Sequence, residues 1–90
     1  MQTECDHAKA LADLAKHGVS FHEAVTSFDD PNAVTGFDPR QSADEDRFLT
    51  AGISNRGRLL IVWHTNRGES IRIIGARRAT PRERTHYHHD

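Results

Sequence analysis

Arg47 to Arg78 reads RFLTAGISNRGRLLIVWHTNRGESIRIIGARR, and this stretch carries most of the chain's β-branched and long aliphatic residues. Any core must be built around it. Two identical Asn-Arg-Gly triplets, Asn55 to Gly57 and Asn66 to Gly68, divide it into three apolar runs of strand length. A three-residue loop ending in glycine suits a type I turn followed by a left-handed residue, so the spacing predicts two successive hairpins and antiparallel neighbours. With Ser54 facing Arg58 and Thr65 facing Glu69, the alternation of strand side chains sorts the residues into two faces. One collects Leu49, Ala51, Ile53, Leu59, Ile61, Trp63, Ile71 and Ile73. Being wholly apolar it needs a cover, and Trp63 is expected beneath that cover. The other collects Phe48, Thr50, Leu60, Val62, His64, Ser70, Arg72 and Ile74, and mixes polar with apolar groups as a working face would.

Cover is available on the N-terminal side. Ala8, Leu11, Leu14 and Ala15 recur at helical spacing between Asp6, a suitable N-cap, and Gly18, which predicts a first helix over 6–17. Ser20 and Glu23 form an S-x-x-E capping box that opens a second helix with Phe21, Ala24, Val25 and Phe28 as its stripe. Asp29-Asp30-Pro31 ends it. Ala33 to Phe37 is a candidate edge strand, and 38–46 reads as a polar, acidic loop. Thr80-Pro81-Arg82-Glu83 starts a last, arginine-rich helix with almost no apolar stripe. The expected fold is therefore α+β: a small antiparallel sheet of three to four strands on two N-terminal helices, followed by a C-terminal helix.

Ninety residues make one small domain, 1–90, that buries roughly 60 to 65% of its unfolded surface, with no room for a second core. The single cysteine, Cys5, has no partner for an internal disulfide. No stretch resembles a signal peptide or a long apolar span, so the chain reads as soluble and cytoplasmic. The net charge of −1 conceals a strong polarity. Residues 1–46 hold three basic against ten acidic residues, and residues 47–90 hold nine arginines against three acids. All the basic charge of the second half is arginine, whose planar fork holds phosphate bidentately and stacks on bases. Nucleic acid is the partner this composition favours.

By residue type, the candidates for chemistry are Lys16, His17 and Glu23 near the helix junction, His64 and Arg72 on the mixed face, and Arg77, Arg78 and Tyr87 toward the end. His86, His88 and His89 lack the companion pair that a zinc site needs, and the acidic residues lie away from the basic half. A mechanism without metal or other cofactor fits this distribution better.

Several blocks also carry a family resemblance. Lys16-His17-Gly18-Val19-Ser20-Phe21, Asp30-Pro31, Asp46-Arg47-Phe48, Gly57-Arg58-Leu59-Leu60, His64-Thr65, Arg67-Gly68 and Ile71-Arg72-Ile73-Ile74 through Ala76-Arg77-Arg78-Ala79-Thr80, with Arg82-Glu83-Arg84, resemble BrnT toxins over roughly residues 6–87. The chain departs from the family's pattern at Cys5-Asp6-His7 and at His22. The resemblance implies a RelE-like fold and an endoribonuclease that arrests translation. It also implies neutralisation by a BrnA-like, DNA-binding antitoxin, with operator DNA reached only through that partner.

Cleaving RNA without metal requires a base for the 2′-OH, an acid for the leaving 5′-oxygen and cations for the pentacoordinate phosphorus. On this reading Arg72 with Arg77 or Arg78 meets the developing charge, His17 or His64 moves the proton, Lys16 positions substrate, and Glu23 acts as base or orients a cation. Arg47, Arg58, Arg67, Arg82 and Tyr87 are the expected RNA contacts. Each has a structural alternative: His64 as a hydrogen-bonded sheet residue, Lys16 and His17 as complements to a helix dipole, Glu23 as a capping residue. The rival functions are a non-catalytic nucleic-acid-binding module and a protein-interaction domain.

Overall fold

The computed structural model describes residues 2–5, 16–39 and 45–87. In chain order these form β1 (Gln2–Cys5), α1 (Phe21–Thr26), a 3₁₀ turn (Ser27–Asp29), β2 (Val34–Phe37), β3 (Arg47–Ile53), β4 (Leu59–Arg67), β5 (Ser70–Arg78) and α2 (Pro81–Tyr87). The strands make one sheet in the order β1-β5-β4-β3-β2, antiparallel throughout except that β1 runs parallel to β5. The sequence reading found four of these strands and missed β1, whose pairing is with residues some seventy positions away. The first expected helix falls largely outside the described residues, although Lys16 and His17 are helical.

Ser20 caps α1 as its sequence predicts, its hydroxyl accepting from the Glu23 amide at 3.0 Å. The β3–β4 hairpin also matches: the Ser54 amide donates to the Arg58 carbonyl at 2.8 Å, and Gly57 takes a φ of 75°, where a Cβ would be strained. Leu49 thus faces Trp63, Ala51 faces Ile61 and Ile53 faces Leu59.

The β4–β5 hairpin differs from the expected register. Strand β4 continues through Asn66 and Arg67, Arg67 pairs with Ser70, and the turn is the two-residue Gly68-Glu69, with Gly68 at φ 59° in the first loop position. The partners of Thr65 and Trp63 are Arg72 and Gly75, with a bulge at Ile74 between them. Moving a pairing by an odd number of residues exchanges the faces of a whole strand. Ile73 therefore joins Leu60, Val62 and His64, and Arg72 joins Leu49 and Trp63.

This reverses the expected roles of the two faces. The helical layer covers the side bearing His64: Val19, Ala24, Leu60, Val62, Ile73 and Ala76 form the main core, with Phe21, Val25 and Phe28 packed on it. The other side carries a second cluster, Leu59, Ile61 and Ala79 with Leu49, Ala51, Ile53, Trp63 and Tyr87, capped at one end by α2. Trp63 is consequently half-buried on this second face, opposite α1.

The 3₁₀ turn sits close on β3 at Gly52. A Cβ built there would overlap the Ser27 carbonyl oxygen and fall 3.3 Å from the Ala33 Cβ, whereas one at Gly36 meets nothing within 4 Å. Gly52→Ala should therefore destabilise the fold by about 1 to 3 kcal/mol. Gly36→Ala should be tolerated, and chemical denaturation of the two variants beside the parent checks both.

Candidate active site

Three adjacent cross-strand rows build the face opposite α1. Val34, Ala51, Ile61 and Arg77 form the first, Gly36, Leu49, Trp63 and Gly75 the second, and Arg47, Thr65 and Arg72 the third. Directly opposed residues share a face, so Trp63 lies between an arginine on one side and two on the other. An open cleft of about 850 Å³ runs along this surface, lined by His17, Arg47, Leu49, Trp63, Gly75 and Arg77 among others.

Local sequence fixes the closed end. Thr80 and Glu83 complete the predicted capping box: the Glu83 amide donates to the Thr80 hydroxyl at 3.2 Å, and the Thr80 amide donates to a Glu83 carboxylate oxygen at 2.8 Å. The same carboxylate receives both ends of the Arg77 guanidinium, at 2.7 and 2.9 Å. This bidentate contact, helped by the Thr80 bonds, holds Glu83 down to about 2 and raises Arg77 above its ordinary value. Arg77 also lies over the Trp63 ring, 5.3 Å from its centroid. The indole N–H donates to Asp38 at 3.2 Å. At its far end α2 is tied by the Tyr87 hydroxyl, which donates to Asp30; Asp30 also accepts from the amides of Ile53 and Asn32. These bonds, Tyr87's first among them, hold the Asp30 carboxyl below its ordinary value.

At the other end lies Thr65. Its hydroxyl is the one buried side-chain polar atom without a hydrogen-bond partner among the described residues, and it sits between Arg47 and Arg72 in the row. Burying such a group unpaired is costly, which marks the position as one where a ligand atom would complete the bonding.

The structure brings His17, Arg47, Arg72 and Arg77 to this face and separates the other candidates from it. His64 is 2% exposed on the opposite, helix-covered side, with Nε2 2.8 Å from the Thr50 hydroxyl and Nδ1 3.2 Å from Asn66 Oδ1. Phe28 meets its ring edge-on, Phe48 stacks beside it, and burial pushes its pKa down. Glu23 is buried on that side too. Its carboxylate accepts from Arg58 Nε at 2.9 Å, from the second Arg58 nitrogen and from the Ser54 hydroxyl at 2.7 Å. The Arg58 bond is the largest cause holding Glu23 below its ordinary value, against the opposing cost of burial. Arg58, which also donates to the Gly18 carbonyl at 3.0 Å, is thereby a fold-making residue and not a free RNA contact.

Arg78 pairs with Leu60, on the helix side, and is exposed. Lys16 is exposed beside His17, and Arg82 is exposed on α2. Tyr87 packs in the second cluster and clamps Asp30. Arg67 is described only by its backbone, at the end of β4. The reading from sequence missed Trp63, Thr65 and Glu83 as members of the site. Glu83 was legible as a cap, but its second role needed the position of Arg77. Among the described residues no group of three or more His, Cys, Asp or Glu is arranged to hold a metal ion, and no helix is long and apolar enough to cross a membrane.

A family model described as "Ribonuclease toxin, BrnT, of type II toxin-antitoxin system" matches residues 6–83. Among solved structures, the 1.1 Å crystal structure of the Brucella abortus ribonuclease toxin BrnT is similar at a TM-score of 0.55 and 22% identity, over 89% of this chain and 99% of that one. No curated protein sequence matches.

Glu83 gives the C-terminal end a defined response to acid. Its folded pKa lies below the ordinary value of 4.5, so its contribution is present above about 4.5 and is lost as pH falls toward about 2. Thermal unfolding of the parent and of Glu83→Gln should differ most above pH ~5 and converge as pH falls to about 2, where Glu83 itself becomes protonated in the folded state.

Proposed function

The chain belongs to the BrnT family of ribonuclease toxins of type II toxin-antitoxin systems, and on that premise we propose that the face bearing Arg47, Thr65, Arg72 and Trp63 is a metal-independent RNA-cleaving site in a RelE-like architecture. The observation that carries this reading is the Arg47-Thr65-Arg72 row, which places an arginine on each side of Thr65, whose buried hydroxyl has no hydrogen-bond partner among the described residues. A phosphodiester fits such a row. Its two non-bridging oxygens take charge-assisted bonds from the arginines, and either can accept from the Thr65 hydroxyl.

Cleavage then follows from the substrate's own nucleophile. The 2′-oxygen loses its proton to a base and bonds to phosphorus, and the phosphorus–O5′ bond breaks. The leaving 5′-oxygen takes up a proton, and a 2′,3′-cyclic phosphate remains. Negative charge on the equatorial oxygens rises at the pentacoordinate stage, so Arg47 and Arg72 bind that stage more tightly than the ground state. His17 is the imidazole that lines the same cleft and is assigned the proton transfer, with Lys16 beside it as a substrate contact. Arg77 is held to Glu83 and acts on the shape of the cleft more than on the phosphate. The requirement for a 2′-OH restricts the reaction to RNA.

Type II systems pair the toxin with an antitoxin. We assign this partner to the BrnA type, a DNA-binding protein that neutralises the toxin and carries it to operator DNA.

Purified protein should cleave RNA in EDTA and leave cyclic phosphate or its hydrolysed form. Arg47→Ala and Arg72→Ala should each lower the rate by about 10² to 10³, and Arg78→Ala should cleave as the parent does. Parent-rate cleavage by Arg72→Ala, or loss of activity in EDTA restored by magnesium, would overturn this assignment.

A further inference from the structure

Trp63 is the single tryptophan of the chain, packed against the second cluster yet only half-buried. Its cross-strand row is Gly36, Leu49, Trp63, Gly75, so two of the four positions carry no side chain and the indole stands above its row. A Cβ at Gly36 would meet nothing within 4 Å, so the row is open at its β2 edge, while Gly75 at its other end is buried. Two contacts then fix the ring: its N–H donates to Asp38, and the Arg77 guanidinium lies over it while both guanidinium ends are held by Glu83. A flat, polarisable surface is thus held rigidly in a cleft where the nearest cation is already neutralised by a carboxylate. Such a place suits an uncharged aromatic ligand better than an anion.

The anionic part of that ligand has its own position. Thr65 follows Trp63 by two residues on the same strand face, about 7 Å along β4, and is flanked by Arg47 and Arg72. That separation is comparable with the reach from a nucleobase to its own phosphate. We propose that Trp63 is the stacking platform for one unpaired nucleobase of the RNA, seated so that the adjoining phosphate meets the Arg47-Thr65-Arg72 row. This rests on the ribonuclease reading above and adds a base subsite to it. Because stacking is available to every base, the subsite favours single-stranded RNA over duplex, whose bases are already stacked, and selects little by hydrogen bonding. Glu83 is here a positioning residue, acting on the base only through Arg77 and the indole.

A lone tryptophan also supplies the test. The probe is a short single-stranded 2′-O-methyl RNA, which lacks the attacking hydroxyl, and its abasic counterpart of equal charge. The base-bearing strand should quench Trp63 fluorescence in a saturable titration, and the abasic strand should bind without comparable quenching. Trp63→Leu should raise KM for single-stranded RNA by roughly 5- to 150-fold, and Trp63→Phe, which keeps a ring, should recover most of that. Equal quenching by both strands, or none by either, overturns the proposal, as does an unchanged KM in a folded Trp63→Leu. If that variant fails to fold, the titration of the parent protein decides alone. Base-dependent quenching in a protein that cleaves no RNA would leave the base subsite standing and reject the ribonuclease reading. Cleavage without base-dependent quenching would do the reverse.

Discussion

The bulge at Ile74 is the constraint on which both faces of the sheet depend. In an unbroken strand, residues separated by an odd number of positions point to opposite sides. Arg72 and Arg77 are five apart, and Ile73 and Ala76 are three apart, so a regular β5 would put one of each pair on the wrong face. The extra residue moves the pairing from Ile73 opposite His64 to Gly75 opposite Trp63 and resolves both conflicts together. Ile73 and Ala76 both enter the helix-covered core, and Arg72, Gly75 and Arg77 all lie on the opposite face. Core and site are thus produced by the same irregularity.

Polar groups on the covered side have a different physical standing from those on the open one. Glu23, 3% exposed, is saturated by Arg58 and Ser54, and His64 is saturated by Thr50 and Asn66. Buried charges and imidazoles persist only with such pairing, and once paired they have little left to offer a substrate. The Glu23-Arg58 pair joins α1 to the β3–β4 hairpin, and Thr35, Thr50, His64 and Asn66 form a hydrogen-bonded chain across β2, β3 and β4. Both knit the fold. On the cleft side the contrast is Thr65, fully buried and unpaired.

What was legible in the sequence follows how local each signal is. Ser20 with Glu23, Thr80 with Glu83, and Asn55-Arg56-Gly57 act over three or four residues, and all three formed as read. Asn66-Arg67-Gly68 failed because the same triplet serves two turns: glycine closes a three-residue loop or opens a two-residue one, and only the packing of Ile73 and Ala76 under α1 selects the second. The pairing of β1 with β5 is long-range and leaves no periodic trace. His64 and Glu23 were sound as candidates by type, but their burial follows from the face assignment that the triplet misled. Arg72 and His17 were singled out by residue type; Arg72 shares the face of Trp63, although the face first given to it was the other one, and His17 lines the cleft there.

The charge polarity of the chain acquires a direction once the contacts are placed. Acidic residues pair with the basic half at particular points: Glu83 neutralises Arg77, and Glu23 neutralises Arg58. Asp30 receives the Tyr87 hydroxyl and helps hold α2 against the sheet. Charge is therefore cancelled at the α2 end of the Trp63 face by Glu83, while Arg47 and Arg72 stand on the two strands that flank β4, either side of Thr65. On the proposed reading, a polyanion's backbone would be drawn toward the Arg47-Thr65-Arg72 row while the neutral part of a nucleotide falls over Trp63. An even spread of nine arginines would bind RNA without orienting it. If RNA is the substrate, the pairing of acids with one part of the basic set would convert attraction into register along the cleft, which phosphoryl chemistry requires.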